Sequence, residues 1–145
     1  MHSQILAPVV ALVAWTLVMQ VWMYATRFPA MRRKGISLKG RRGGRGAALD
    51  GVVEDEVQWK AHNYNHLMEQ PTLFYAIAIV LALQGGGNVW INVWLAWGYV
   101  AFRILHSLIQ ATTNVVRWRF LAFTLASLCL LGLTVHAAAR ALHGL

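Results

Sequence analysis

The sequence predicts an all-α integral membrane four-helix bundle, and three observations predict it. Hydrophobic residues make up 58% of the 145-residue chain and the mean hydropathy is +0.49, while charged residues reach only 12%, against about 25% in soluble domains. The apolar residues fall into four stretches long enough to cross a bilayer, which takes about 20 residues each. Two charges deep inside those stretches, Glu69 and Arg103, lie at matching depth on consecutive helices.

The first span is read over residues 5–27. Within 5–25 only Thr16 and Gln20 interrupt the apolar run. The tetrapeptide Met1-His2-Ser3-Gln4 has no basic character and no small-residue cleavage pattern follows the run, so a retained span is expected rather than a signal peptide. Residues 28–58 form the one long loop. It carries Arg32-Arg33-Lys34 and Lys39-Gly40-Arg41-Arg42-Gly43-Gly44-Arg45, then turns acidic at Glu54-Asp55-Glu56. Eight of the 13 Lys and Arg residues lie between Arg27 and Arg45. An Arg/Gly tract can bind RNA; between membrane spans, the same residues mark a cytoplasmic loop lying against anionic headgroups. The expectation is therefore no nucleic acid partner.

The second span is read over 59–83, polar on one side in its first half and almost wholly apolar from Thr72 onward. The uncharged turn 84–88 leads into the third span, 89–110. Thr113 or Asn114 can cap the fourth, 118–141. Trp59 and Trp118 suit one interface and Trp90 the other. The basic loop and the 111–118 connection, which carries Arg117, are expected to be cytoplasmic, and both termini external. Cys129, the single cysteine, lies in an apolar run and excludes an internal disulfide.

Depth arithmetic places the polar residues. Glu69 is fifteen residues before Gln84 and Arg103 fifteen residues after Asn88, so both lie roughly 22 Å from the external turn. An ion pair between them is expected. His62, Asn65, His66 and Glu69 are spaced as one helical stripe, as are Arg103, His106 and Gln110. With Arg27 ending the first span and Arg119 opening the fourth, cationic and polar groups gather in the cytoplasmic third of the membrane. That layout predicts a pocket for a small, polar, net anionic molecule, because arginines grip carboxylates in bidentate fashion. The spacing His62-x-x-x-His66-x-x-Glu69 also suits metal or haem ligation, but the surrounding arginines repel a cation, and no metal is expected.

The stretch His62-Asn63-Tyr64-Asn65-His66-Leu67-Met68-Glu69-Gln70-Pro71-Thr72 resembles the second-helix signature of the MAPEG family, the membrane-associated proteins in eicosanoid and glutathione metabolism. Arg103-Ile104-Leu105-His106 resembles its third-helix Arg-x-x-His motif, and Arg119 falls at its fourth-helix arginine. The likeness is to bacterial-type members and covers nearly the whole chain, which implies a bacterial inner membrane. It further implies a homotrimer, with glutathione as co-substrate between subunits and a small lipophilic substrate arriving from membrane lipid. Asn65, Glu69, Arg103 and His106 would then bind glutathione, with His66 and Arg27 as further candidates, and Arg119 would stabilise the thiolate. Two departures stand out. Asn65 is four residues before Glu69 where the family has three, so that His66 holds the usual amide position. Phe120 and Phe123 stand where catalytic members carry a hydroxyl residue and a tyrosine. The activity implied is a glutathione transferase or peroxidase; the alternative of the same fold is a non-catalytic lipid-binding or partner-presenting protein.

Overall fold

The computed structural model describes residues 3–143; the reading of Met1 and His2 lies outside them. Helix α1 runs Leu6–Arg33, α2 Asp55–Leu67, α3 Pro71–Leu83, α4 Trp90–Ala111 and α5 Val116–His143. Helices α2 and α3 are two halves of one broken rod, so the chain forms an all-α four-helix bundle. Taking α2 and α3 together, three rods are long and apolar enough to cross a membrane. The remaining helix, α4, is long enough at 22 residues but turns its polar side chains inward. The protein is a multi-pass integral membrane protein.

The core runs down the middle of the rods, with Leu12, Met19, Phe74, Leu81, Tyr99 and Leu133 all fully buried. Phe74 stacks on Tyr99 with ring centroids 4.4 Å apart. The α4–α5 pair is the most extensive, and Gly98 makes it close: a Cβ there would lie 3.2 Å from Cys129 Sγ. Small residues permit such approaches between membrane helices. At one end of the bundle, Ile5 N–H donates to Gly87 O at 3.0 Å and Arg140 Nη2 to Gln84 O at 3.0 Å. The start of α1, the 84–88 turn and the end of α5 therefore meet there. The basic loop and the α4–α5 turn sit at the other end.

Helix α1 continues six residues past the expected boundary at Arg27, straight through Pro29. A mid-helix proline costs about 3 kcal/mol. The extra turns recover apolar contact, because Ala30 and Met31 pack on Leu49 and Val53 in a small second core with Ile36 and Val57 beside it. That core folds the loop back along α1. Helix α2 then begins at Asp55 and Glu56, acids suited to a helix N-terminus.

Asp50 ties this loop to α2. Its Oδ1 accepts from Gln58 Nε2 at 2.6 Å and lies 3.1 Å from His62 Nε2. The Gln58 amide holds the Asp50 carboxyl below the usual carboxylate range, with His62 assisting. A depressed value stabilises the fold above the ordinary range and loses that contribution as pH falls through the lowered value. Hydrogen exchange over residues 46–58 should therefore be flat from neutrality to about pH 5 and speed up below about pH 4, relative to intrinsic rates. Asp50→Asn should flatten that dependence.

Candidate functional site

The second rod is broken at Met68-Glu69-Gln70. Pro71 is the cause: it lacks the N–H that would continue the ladder and suits the first position of a new helix. The bonds through the break shorten to the i→i−3 type, as in Met68 N–H to Asn65 O and Glu69 N–H to His66 O, the latter stretched to 3.4 Å. Gln70 anchors the break in the bundle. Its Nε2 donates to Ser127 Oγ at 2.9 Å, and its Oε1 accepts from Tyr99 at 3.3 Å.

The weakened His66 carbonyl receives a guanidinium instead. Arg103 Nη2 donates to His66 O at 3.0 Å and meets His66 Nδ1 at 3.1 Å, which places the imidazole proton on Nε2. Arg103 is 0% exposed. Its Nε and Nη1 are buried and have no hydrogen-bond partner among the described residues. Phe123 of α5 covers the group, with the guanidinium carbon 5.7 Å from its ring centroid. His106 sits one turn further along α4, its ring 4.8 Å from that of His66, and Phe123 packs edge-on to His66 at 5.5 Å. His106 Nδ1 and Gln110 Oε1 are likewise buried without partners.

Arg119 closes the group from α5. Its Nη1 donates to Asn114 Oδ1 at 2.7 Å. Asn114 occupies the left-handed region at φ 50°, which asparagine tolerates better than most residues, and its N–H donates to Ile109 O at 2.7 Å. The α4–α5 turn therefore aims Arg119. Between these residues lies an open cavity of about 230 Å³, lined by His66, His106, Gln110, Val116, Arg119, Phe120 and Phe123.

The expected Glu69–Arg103 ion pair is absent. Glu69 is exposed and makes no ion pair among the described residues. The break before Pro71 swings residue 69 to the outside, while Arg103 satisfies the carbonyl that the break releases. The expected stripe on α2 also divides. His66 faces inward; His62, Asn65 and Glu69 are exposed, and His62 turns to Asp50. The buried asparagine of α2 is Asn63, whose Nδ2 donates to Ser107 Oγ at 2.8 Å. The Ser107 oxygen also accepts from Trp15 Nε1 at 3.0 Å. Arg27 lies apart, donating to Gln58 Oε1 at 2.8 Å near the loop. Within one chain the structure thus unites His66, Arg103, His106 and Arg119. It adds Gln110, Phe123 and Asn114, and leaves Asn65, Glu69 and Arg27 outside. Each addition carried some sequence signal: Gln110 lay on the stripe of Arg103 and His106, Phe123 stood at the family's tyrosine position, and Asn114 was a candidate cap for the last helix. Among the described residues no three His, Cys, Asp or Glu side chains gather as a metal site.

The niche holds a buried guanidinium with two unpaired nitrogens and a second guanidinium at the cavity mouth, and no carboxylate is ion-paired to either among the described residues. The molecule is a polytopic α-helical membrane protein with a cationic niche between α2, α4 and α5. The chain belongs to the MAPEG family, whose model matches residues 5–139. No curated protein and no solved structure matches it.

Proposed function

We propose that the chain binds glutathione in this niche and activates its thiol for attack on lipophilic electrophiles. One observation carries the reading: Arg103 is fully buried with Nε and Nη1 unpaired. A buried charge without a partner costs several kcal/mol, and a ligand carboxylate relieves that cost. Arg119, at the open side of the cavity, is the group assigned to the sulfur. A free thiol has a pKa of about 8.5, and each unit that a neighbouring guanidinium removes, worth about 1.4 kcal/mol, raises the thiolate fraction by up to about tenfold near neutral pH. The thiolate then adds to an electrophilic carbon. With a lipid hydroperoxide it takes the terminal oxygen as the O–O bond breaks and the lipid leaves as its alcohol, giving a sulfenic acid, from which a second glutathione thiol displaces water to form the disulfide.

The single-chain cavity, about 230 Å³, is smaller than the range of about 300–1,000 Å³ usual for small-molecule sites. Asn65 and Glu69 are exposed on the same rod, and a charge facing acyl chains costs about 2.5–3.5 kcal/mol on insertion scales. Both facts favour a homotrimer in which a neighbouring subunit covers that face, so that Asn65 and Glu69 join the site across the boundary. The excess of basic residues in the 28–58 loop favours placing that end of the bundle in the cytoplasm.

Titrating the purified full chain with glutathione, while following the ultraviolet absorbance of the thiolate, tests the proposal. The wild-type protein should show saturable thiolate formation, and Arg119→Ala should lose it while still binding the tripeptide. The non-catalytic, lipid-binding reading draws support from Phe120, 68% exposed, and from the apolar wall at Phe123. Binding without thiolate in the wild-type protein would favour that reading, and no binding at all would defeat both uses of glutathione.

A further inference from the structure

A second cavity, of about 430 Å³, lies where the 35–49 loop folds back on the end of α1. Its apolar wall is Tyr24 and Phe28, stacked with centroids 5.5 Å apart, above the buried Met31 and Leu49. Arg27, Arg41 and Arg45 supply the rest of its charge, and no acidic residue lines it. The nearby carboxylates are engaged elsewhere: Asp50 with Gln58 and His62, Glu54 with Arg33 at 3.5 Å. Neither Arg41 nor Arg45 forms an ion pair among the described residues. Arg27 Nε is buried without a hydrogen-bond partner. Gly46 lets the loop close over Arg27, since a Cβ there would lie 3.1 Å from its Nη1.

The site is built rather than a loose basic tract. The Ala30–Met31–Leu49–Val53 core fixes the loop against α1, which sets the guanidiniums around one space. A soluble anion has no use for the Tyr24–Phe28 wall, and an acyl chain alone has none for three arginines. Both rings are partly exposed, at the end of a membrane span where aromatic residues meet the headgroup layer.

We propose that this cavity binds an anionic phospholipid. The phosphate sits among Arg27, Arg41 and Arg45, whose planar forks match its oxygens, and the glycerol and first acyl carbons lie on Tyr24 and Phe28. Basic pockets beside membrane helices hold acidic headgroups on this principle.

Native mass spectrometry of the full chain, released from an uncharged detergent, tests this with equal amounts of phosphatidylglycerol and phosphatidylcholine. Phosphatidylglycerol should be retained about tenfold or more over phosphatidylcholine, and the double variant R41Q/R45Q should lose that preference. The variant K39Q/R42Q, which removes equal charge from exposed residues that do not line the cavity, should keep it. Arg41 and Arg45 are exposed, so the variant should fold, and glutathione titration of R41Q/R45Q should match the parent, which separates this site from the first. Equal retention of the two lipids overturns the proposal, as does equal loss in the two double variants. Displacement by inorganic phosphate at the lipid's own concentration also overturns it, as does tighter retention of a uridine oligonucleotide.

Discussion

Arg103→Met should lower glutathione affinity by about a hundredfold or more while leaving the ligand-free protein as stable as the parent, or more so. The first half follows from the two idle N–H groups of Arg103. Hydrogen bonds to charged groups contribute about 1.5–3 kcal/mol each, so losing two such bonds removes more than two powers of ten. The second half follows from what Arg103 does without ligand. It holds a full charge in the core and receives in return two contacts with neutral acceptors of His66. Methionine fills a similar space and brings no desolvation cost. The His66 carbonyl keeps its bond from Glu69 N–H. Isothermal titration, with thermal melts in the presence and absence of glutathione, measures both halves. A strut that merely ordered the bundle would behave oppositely, losing several degrees of melting temperature without ligand. A Met variant that binds glutathione as the parent does would remove Arg103 from the site.

How far the sequence reached depends on what each pattern constrains. Helix α4 was legible because most of it is apolar, so its few polar side chains had one place to go. Arg103, His106 and Gln110 are all buried as their common stripe required. Helix α2 was not legible in the same way. It is polar on several faces, and periodicity does not say which face meets α4. Asn63 and Asn65 are two residues apart and about 200° apart around the helix; the structure buries the first and exposes the second. The Glu69–Arg103 pairing failed for a related reason. Counting residues fixes height in a membrane and leaves rotation free, and Pro71 resets the rotation between His66 and Glu69. The same proline prepares the niche, because the break weakens the His66 carbonyl's own helical bond and leaves room for Arg103. The order of the basic loop was hidden in four scattered apolar residues, Ala30, Met31, Leu49 and Val53, which look unremarkable among so many charges.

Ser107→Ala should destabilise the bundle by about 2–4 kcal/mol, the largest stability effect expected of any single-atom deletion in the chain. Ser107 is 0% exposed, and its oxygen accepts from Trp15 on α1 and from Asn63 on α2. One hydroxyl on α4 therefore joins three rods. Its removal strands the buried Asn63 amide and the half-buried Trp15 N–H, each costing about 1–3 kcal/mol if no substitute acceptor arrives. Interhelical bonds in bilayers average nearer 0.6 kcal/mol, because the unfolded helices find other partners. Here the higher range applies, since neither donor bonds to another acceptor among the described residues and Asn63 is itself 0% exposed. Denaturant unfolding in mixed micelles reads the difference, and a double-mutant cycle with Asn63→Ala assigns it. If the shared oxygen is the cause, Asn63→Ala should cost about 1 kcal/mol less in the Ser107→Ala background than alone. A single-variant loss below about 0.5 kcal/mol, within the ordinary surface range, would show that the helices hold their positions by packing and not through this oxygen.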